Sequence, residues 1–207
     1  MSLLILAILM LSCKERIKNE SIIKEKIMNN DLIYTSEDVN KYFRTNNQLN
    51  QIELITNSLV YEKFNYQDLK LGIKENDFEI QPKIDSKYYK VKSFNLDDKI
   101  TCDVIVYVTI GDNETNIVNV QLNSYDFLRN CIDKILLDSR FTFENEYFRE
   151  FKIFKNNTIV INKITKDHLL YNEDGDIIGE KEKPEILSQE VKYIINKNGE
   201  FIKSEQK

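Results

Sequence analysis

The side chains in this chain best suited to chemistry are few: three cysteines, Cys13, Cys102 and Cys131, and a single histidine, His168. A thiol can be acylated, oxidised or bound to a metal, and its surroundings decide which. His168 follows Asp167 at the mouth of a turn; it reads as a surface residue, and one histidine cannot build a His-rich metal site. Asn172-Glu173-Asp174-Gly175-Asp176 offers oxygen ligands and a glycine but lacks the length and the closing glutamate of a calcium loop, so it reads as a hairpin turn. No G-x-S-x-G, Walker loop, H-E-x-x-H or dinucleotide fingerprint occurs, and five glycines leave little material for a phosphate cradle. No metal and no cofactor is expected. Carboxylates are plentiful, and a pair arranged for glycoside hydrolysis is recognisable only from geometry.

Cys13 has the most informative surroundings. Leu3 to Leu11 is wholly apolar, about half the ~20 residues a helix needs to cross a bilayer, and it ends in the small residue Ser12 just before the first charges. That is the shape of a secretory h-region with its processing site. The other reading of the run is a buried N-terminal strand or helix of a cytosolic domain.

Ser12-Cys13 after such a run resembles the lipobox of bacterial lipoproteins. Met10 stands where that family prefers Leu, and no Lys or Arg precedes the run. The resemblance implies lipidation of Cys13 and loss of residues 1–12 as a signal peptide. Residues 13–31 then form the lipidated Cys and a tether, and residues 32–207 a single domain. It also implies a cell-envelope location, with the membrane as a partner through the lipid.

Composition bounds the domain. Hydrophobic residues at 42% and aromatics at 11% belong to a globular chain rather than a disordered one. The net charge of -5 is spread through interleaved Lys and Glu, without a basic block that could neutralise consecutive phosphates. Nucleic acid is therefore not an expected partner.

The elements that must position any site follow from periodicity. Lys14 to Asp31 has partly helical spacing and reads as tether or helix. Thr35 or Ser36, with Glu37 and Asp38 behind it, predicts a helix N-terminus with Val39, Tyr42 and Phe43 on one face. Ile52, Ile55 and Leu59 extend the pattern as a second helix, although Leu59 to Phe64 also reads as a strand. Gly72 marks a turn leading into a strand. Ile100 to Ile110 alternates, and Gly111-Asp112-Asn113 returns the chain into Ile117 to Leu122 as a central hairpin. Ser124 is placed to cap a helix whose Phe127, Leu128, Cys131, Ile132, Ile135 and Leu136 follow the i, i+3, i+4 rule. Three further hairpins turn at Asn156-Asn157, Asp174-Gly175 and Asn198-Gly199, with Lys181 to Pro184 a charged loop between the last two. The expected fold class is α+β: early helices and one mid-chain helix packed on an antiparallel β-meander.

With Cys13 lipidated, Cys102 and Cys131 are an even pair in an oxidising compartment. A disulfide tying the central strand to the following helix and two buried free thiols both remain open. The function expected is non-enzymatic: a lipid-anchored envelope protein whose domain binds another protein or a ligand, an immunity-type protein being one concrete form. The alternative is an envelope hydrolase with a carboxylate-based site formed only in the fold.

Overall fold

The computed structural model describes residues 31–46, 51–111 and 114–204. The chain divides into two units, Met1–Leu32 and Ile33–Lys207, and the sheet fold belongs to the second. Its elements run β1 (Leu32–Thr35), α1 (Ser36–Asn40), β2 (Phe43–Asn46), β3 (Gln51–Leu54), β4 (Tyr61–Lys63), β5 (Lys87–Asn95), β6 (Thr101–Ile110), β7 (Asn116–Tyr125), β8 (Cys131–Thr142), β9 (Glu146–Phe154), β10 (Thr158–Tyr171), β11 (Ile177–Ile195) and β12 (Phe201–Lys203).

These strands form an antiparallel meander in the order β12-β11-β10-β9-β8-β7-β6-β5-β4, with β1 added on β9 and β2–β3 a separate hairpin. β8 pairs with β9 only at Phe141↔Tyr147 and Thr142↔Glu146. Beyond those pairs the two strands part, and the meander folds into two layers. Cys102, Val104 and Val106 of β6, Val120 and Leu122 of β7, and Ile135 and Leu137 of β8 share one core with residues of the other layer. That layer contributes Phe151 and Ile153 of β9, Ile159 and Ile161 of β10, Val191, Tyr193 and Ile195 of β11, and Phe201 of β12. Removing these side chains from water is the main stabilising contribution, roughly 1.5–3 kcal/mol for each large one.

Where β8 and β9 part, side chains replace the missing ladder. The Arg149 N–H donates to Asp138 Oδ1 at 2.7 Å, and the Phe151 N–H donates to Ser36 Oγ at 2.6 Å. Ser36 opens α1, where the Thr35 N–H donates to the Asp38 carboxylate at 2.9 Å and Val39 is fully buried. The predicted helix start is therefore present, but the helix is one turn and a half long.

The α+β expectation is overturned: α1 is the only α-helix among the described residues, and the fold is nearly all β. The expected mid-chain helix from Ser124 to Leu136 is the end of β7, a turn, and the start of β8. Phe127 and Leu128, which complete its helical stripe, are 74% and 67% exposed in that turn. Lys134 through Ser139 are all buried, so β8 has no polar face to show alternation. Its register against β7 also shifts, since Val120 and Gln121 pair with Asp138 and Leu136 and leave Leu137 as an extra residue of β8. On its outer face Lys134 bonds to the Asp68 carbonyl and shares a hollow with Phe64, while Lys74 bridges in parallel to Ile135 along its edge. The second early helix is likewise absent: Ile52 lies in β3 and Tyr61 to Lys63 form β4. The β6–β7 hairpin and the three later hairpins are present, pairing Val106↔Val120, Ile159↔Ile153, Tyr171↔Ile177 and Ile194↔Ile202.

Candidate functional site

The inner face of β9, β10 and β11 changes character row by row. Phe151, Ile161 and Val191 stand side by side and close the core. The next row is Arg149, Lys163 and Gln189, and the one beyond is Tyr147, Thr165 and Leu187. Both rows line a cleft of about 290 Å³, whose other wall carries Asp77, Phe78 and Ser139. Phe78, Phe141 and Tyr147 make an aromatic cluster at its edge, with Phe78 meeting Phe141 edge-on at 4.9 Å and Phe141 stacked on Tyr147 at 4.8 Å.

Two cations facing each other across a ladder repel, so this row needs anions. The 75–77 segment supplies them. Asp77 Oδ2 lies 2.9 Å from Arg149 Nη2 and 2.7 Å from Lys163 Nζ, and Glu75 Oε2 lies 2.6 Å from Lys163 Nζ. Glu75 Oε1 also accepts from Tyr193 Oη at 2.5 Å and from Lys203 Nζ at 2.9 Å. Burial pushes the Glu75 carboxyl up, but the hydrogen bonds from Lys163, Tyr193 and Lys203 outweigh it and hold the group down at about 2. Burial pushes the Tyr193 hydroxyl up, helped by the same carboxylate. Behind the row, burial raises Asp138 against the pull of Arg140 and Arg149, and burial lowers Arg149 against Asp77 and Asp138.

A general acid needs a carboxyl that is protonated near neutral pH and open to substrate. Glu75 is held ionised, Asp77 has both oxygens on Lys163, and Asp138 is fully buried against Arg140 and the Arg149 N–H. Each of these carboxylates is held by a cation, Glu75 and Asp77 by Lys163 and Asp138 by Arg140.

Above the cleft, β10 and β11 leave the body. The β9–β10 ladder ends at Lys166↔Glu146, while β10 and β11 continue as a two-stranded ribbon to Tyr171↔Ile177. The charged loop expected at Lys181 to Pro184 lies inside β11 instead, and its loop-like composition has a cause. Register pairs Asp167 with Glu185 and Leu169 with Glu180, so four residues bulge opposite His168 alone. Lys181 Nζ stitches the bulge, 2.6 Å from Asp167 Oδ2 and 3.1 Å from Glu185 Oε2. At the tip, Asn172 Oδ1 accepts from the Asp174 and Asp176 N–H groups, and Gly175 takes φ +87. The ribbon leaves Leu170, Tyr171, Ile177 and Ile178 exposed, Ile178 by 59%, and Ile186 and Leu187 at its root are exposed as well, Ile186 by 62%. Around them, residues 166 to 186 carry seven carboxylates against three lysines.

The site residues expected from the sequence fall elsewhere. Cys13 lies outside the described residues. Cys102 and Cys131 are free thiols in the structure, one of the two states left open by the sequence. Cys102 pairs across to Ser124 and Cys131 to Tyr125, so all of β7 stands between them, about twice the ~4.8 Å strand spacing. They also face opposite ways: Cys102 sits in the core between the layers, whereas Cys131 lies with Tyr125 and Lys134 on the outer face. Burial pushes both thiols up, to about 12 and about 11. His168 is half-buried at the bulge. Sequence reasoning misses the cleft row, because register pairs Arg149 with Lys163 while Glu75 and Asp77 reach them from a turn segment outside the ladder. The one signal it offers is that the alternating faces Arg149-Phe151-Ile153 and Ile159-Ile161-Lys163 both change from apolar to cationic at the same end.

Fold and site together define an antiparallel β-meander folded into two layers, with a charged cleft at the root of a projecting hairpin arm. No family model, curated protein or solved structure matches the chain.

Proposed function

We propose that this chain is a lipid-anchored protein of the cell envelope whose β domain binds another protein and catalyses no reaction. The observation that carries the binding reading is the β10–β11 arm. A two-stranded ribbon free of a third strand is marginally stable in water, and exposing four large apolar side chains on it, with Ile186 and Leu187 at its root, adds a cost that docking removes. The carboxylate excess around those side chains suits a partner with a basic rim around an apolar patch. An immunity-type protein that captures a toxin is one form such a binder takes. The paired state of Glu75, Asp77 and Asp138 argues against the hydrolase reading. The anchor rests on the resemblance of Ser12-Cys13 to a lipobox.

Two variants test the two halves separately. Cys13→Ala abolishes incorporation of a palmitate analogue and moves the protein out of the membrane fraction; equal labelling of wild type and variant contradicts the anchor. Ile177→Ser with Ile178→Ser keeps the fold, since both side chains are more than half exposed, and removes the partner. In detergent extracts of the envelope the variant runs as the free chain and the wild type as a larger complex; identical sizes contradict the docking role.

A further inference from the structure

The cleft under the arm is a second feature, independent of docking by the ribbon. Its charge is out of balance for an acidic chain: among the described residues that line it, Arg149 and Lys163 are cationic and Asp77 alone is anionic. Arg149 has its side chain 4% exposed, and only Leu136 O and Asp77 accept from its guanidinium among the described residues. A guanidinium presents five N–H donors, and these contacts take two of them. The carboxylate that neutralises Arg149 and Lys163, Asp77, is 44% exposed, whereas Glu75 and Asp138 are buried at 6% and 0%. It comes from a segment between turns rather than from a strand of the sheet. Beside these charges stand the aromatic wall of Phe78 and Tyr147 and the polar side chains of Thr165 and Gln189.

We infer that this cleft binds a carboxylate carried on an aromatic or apolar body, whose charge takes the place on Arg149 and Lys163 that Asp77 otherwise occupies. A planar carboxylate matches the guanidinium fork, the lysine adds a point charge, and the body of the ligand packs on Phe78 and Tyr147. Both a free aromatic acid and the C-terminal carboxylate of a peptide present this chemistry.

The experiment is a titration of the purified chain, followed by NMR, with benzoate, N-acetylphenylalanine and the corresponding neutral amides. Carboxylates bind, and each amide binds about tenfold more weakly or not at all, as loss of a charge-assisted contact requires. Tighter binding of benzoate points to a free acid, tighter binding of N-acetylphenylalanine to a chain end. Asp77→Asn removes the competing carboxylate and tightens carboxylate binding about tenfold, whereas Lys163→Gln weakens it by a similar factor. Because Lys163 also holds Glu75, the Asp77→Asn titration decides alone if Lys163→Gln fails to fold. Amides binding as tightly as acids, weaker binding by Asp77→Asn, or no binding by either wild type or Asp77→Asn overturns the proposal.

Discussion

Arg149 of β9 and Lys163 of β10 stand directly opposite each other in the ladder, and one carboxylate, Asp77, bonds to both. Without it two like charges would face each other where the core ends, at a cost in stability. The pairing ties the 74–78 segment to the sheet, and it makes the stability of the domain depend on acid groups that sequence inspection does not single out.

The pH dependence of stability should therefore trace to Glu75. Its folded value of about 2 lies below the ordinary 4.5, so its contribution is fully present above the ordinary value and lost as pH falls through about 2. Thermal midpoints of the wild type should drop over that window. Glu75→Gln should lower the midpoint at neutral pH and flatten the acid slope; a variant with the wild-type slope would show that the pairing contributes nothing.

The thiols give a second expectation. Protein taken from the envelope and alkylated without reduction after unfolding should carry a label on both Cys102 and Cys131. In the folded state Cys131 should react first, because Cys102 is fully buried and burial keeps its thiol protonated. A mass two hydrogens short, with neither residue labelled, would mean that the strands can rearrange to bridge.

The turns are the legible part of this fold, and the reason shows at Gly199. Asn198-Gly199 predicts a hairpin because the second residue needs positive φ, and Gly199 has φ +84. What the sequence does not disclose is that a Cβ there would lie 2.9 Å from Ile132 Cδ1 and 3.2 Å from Ile100 Cγ2. Gly199→Ala should thus cost about 1–3 kcal/mol, through both backbone strain and overpacking. Gly175, with φ +87 and nothing near its missing Cβ, should lose less on the same change. Equal losses by chemical denaturation would show that the packing contact is immaterial.

Alternation is legible where one strand face meets core and the other does not, as in β9 with its buried Phe151 and Ile153 and exposed Lys152. It fails in β8, where the core covers one face and the 64–78 segment the other. Phe127 and Leu128 then lend that stretch a helical period that belongs to no element. The cleft is not legible, because its four charged residues come from three separate places along the chain, two meeting through register and two through the packing of a turn segment. The bulge at Lys181 to Pro184 is half legible: its charge and its proline predict a loop, and they mark four residues opposite one.

The docking arm is the central claim, and site-specific photo-crosslinking in intact cells tests it most directly. A photoreactive residue replaces Tyr171 at the tip or, as a control, Lys152 on the exposed outer face of β9. One discrete protein adduct is expected from position 171, none from position 152, and loss of the first when Ile177→Ser and Ile178→Ser are added. The adduct should be a protein with an excess of Lys and Arg. No adduct from position 171, the same adduct from both positions, or an adduct to lipid or to a second copy of this chain would contradict the docking role.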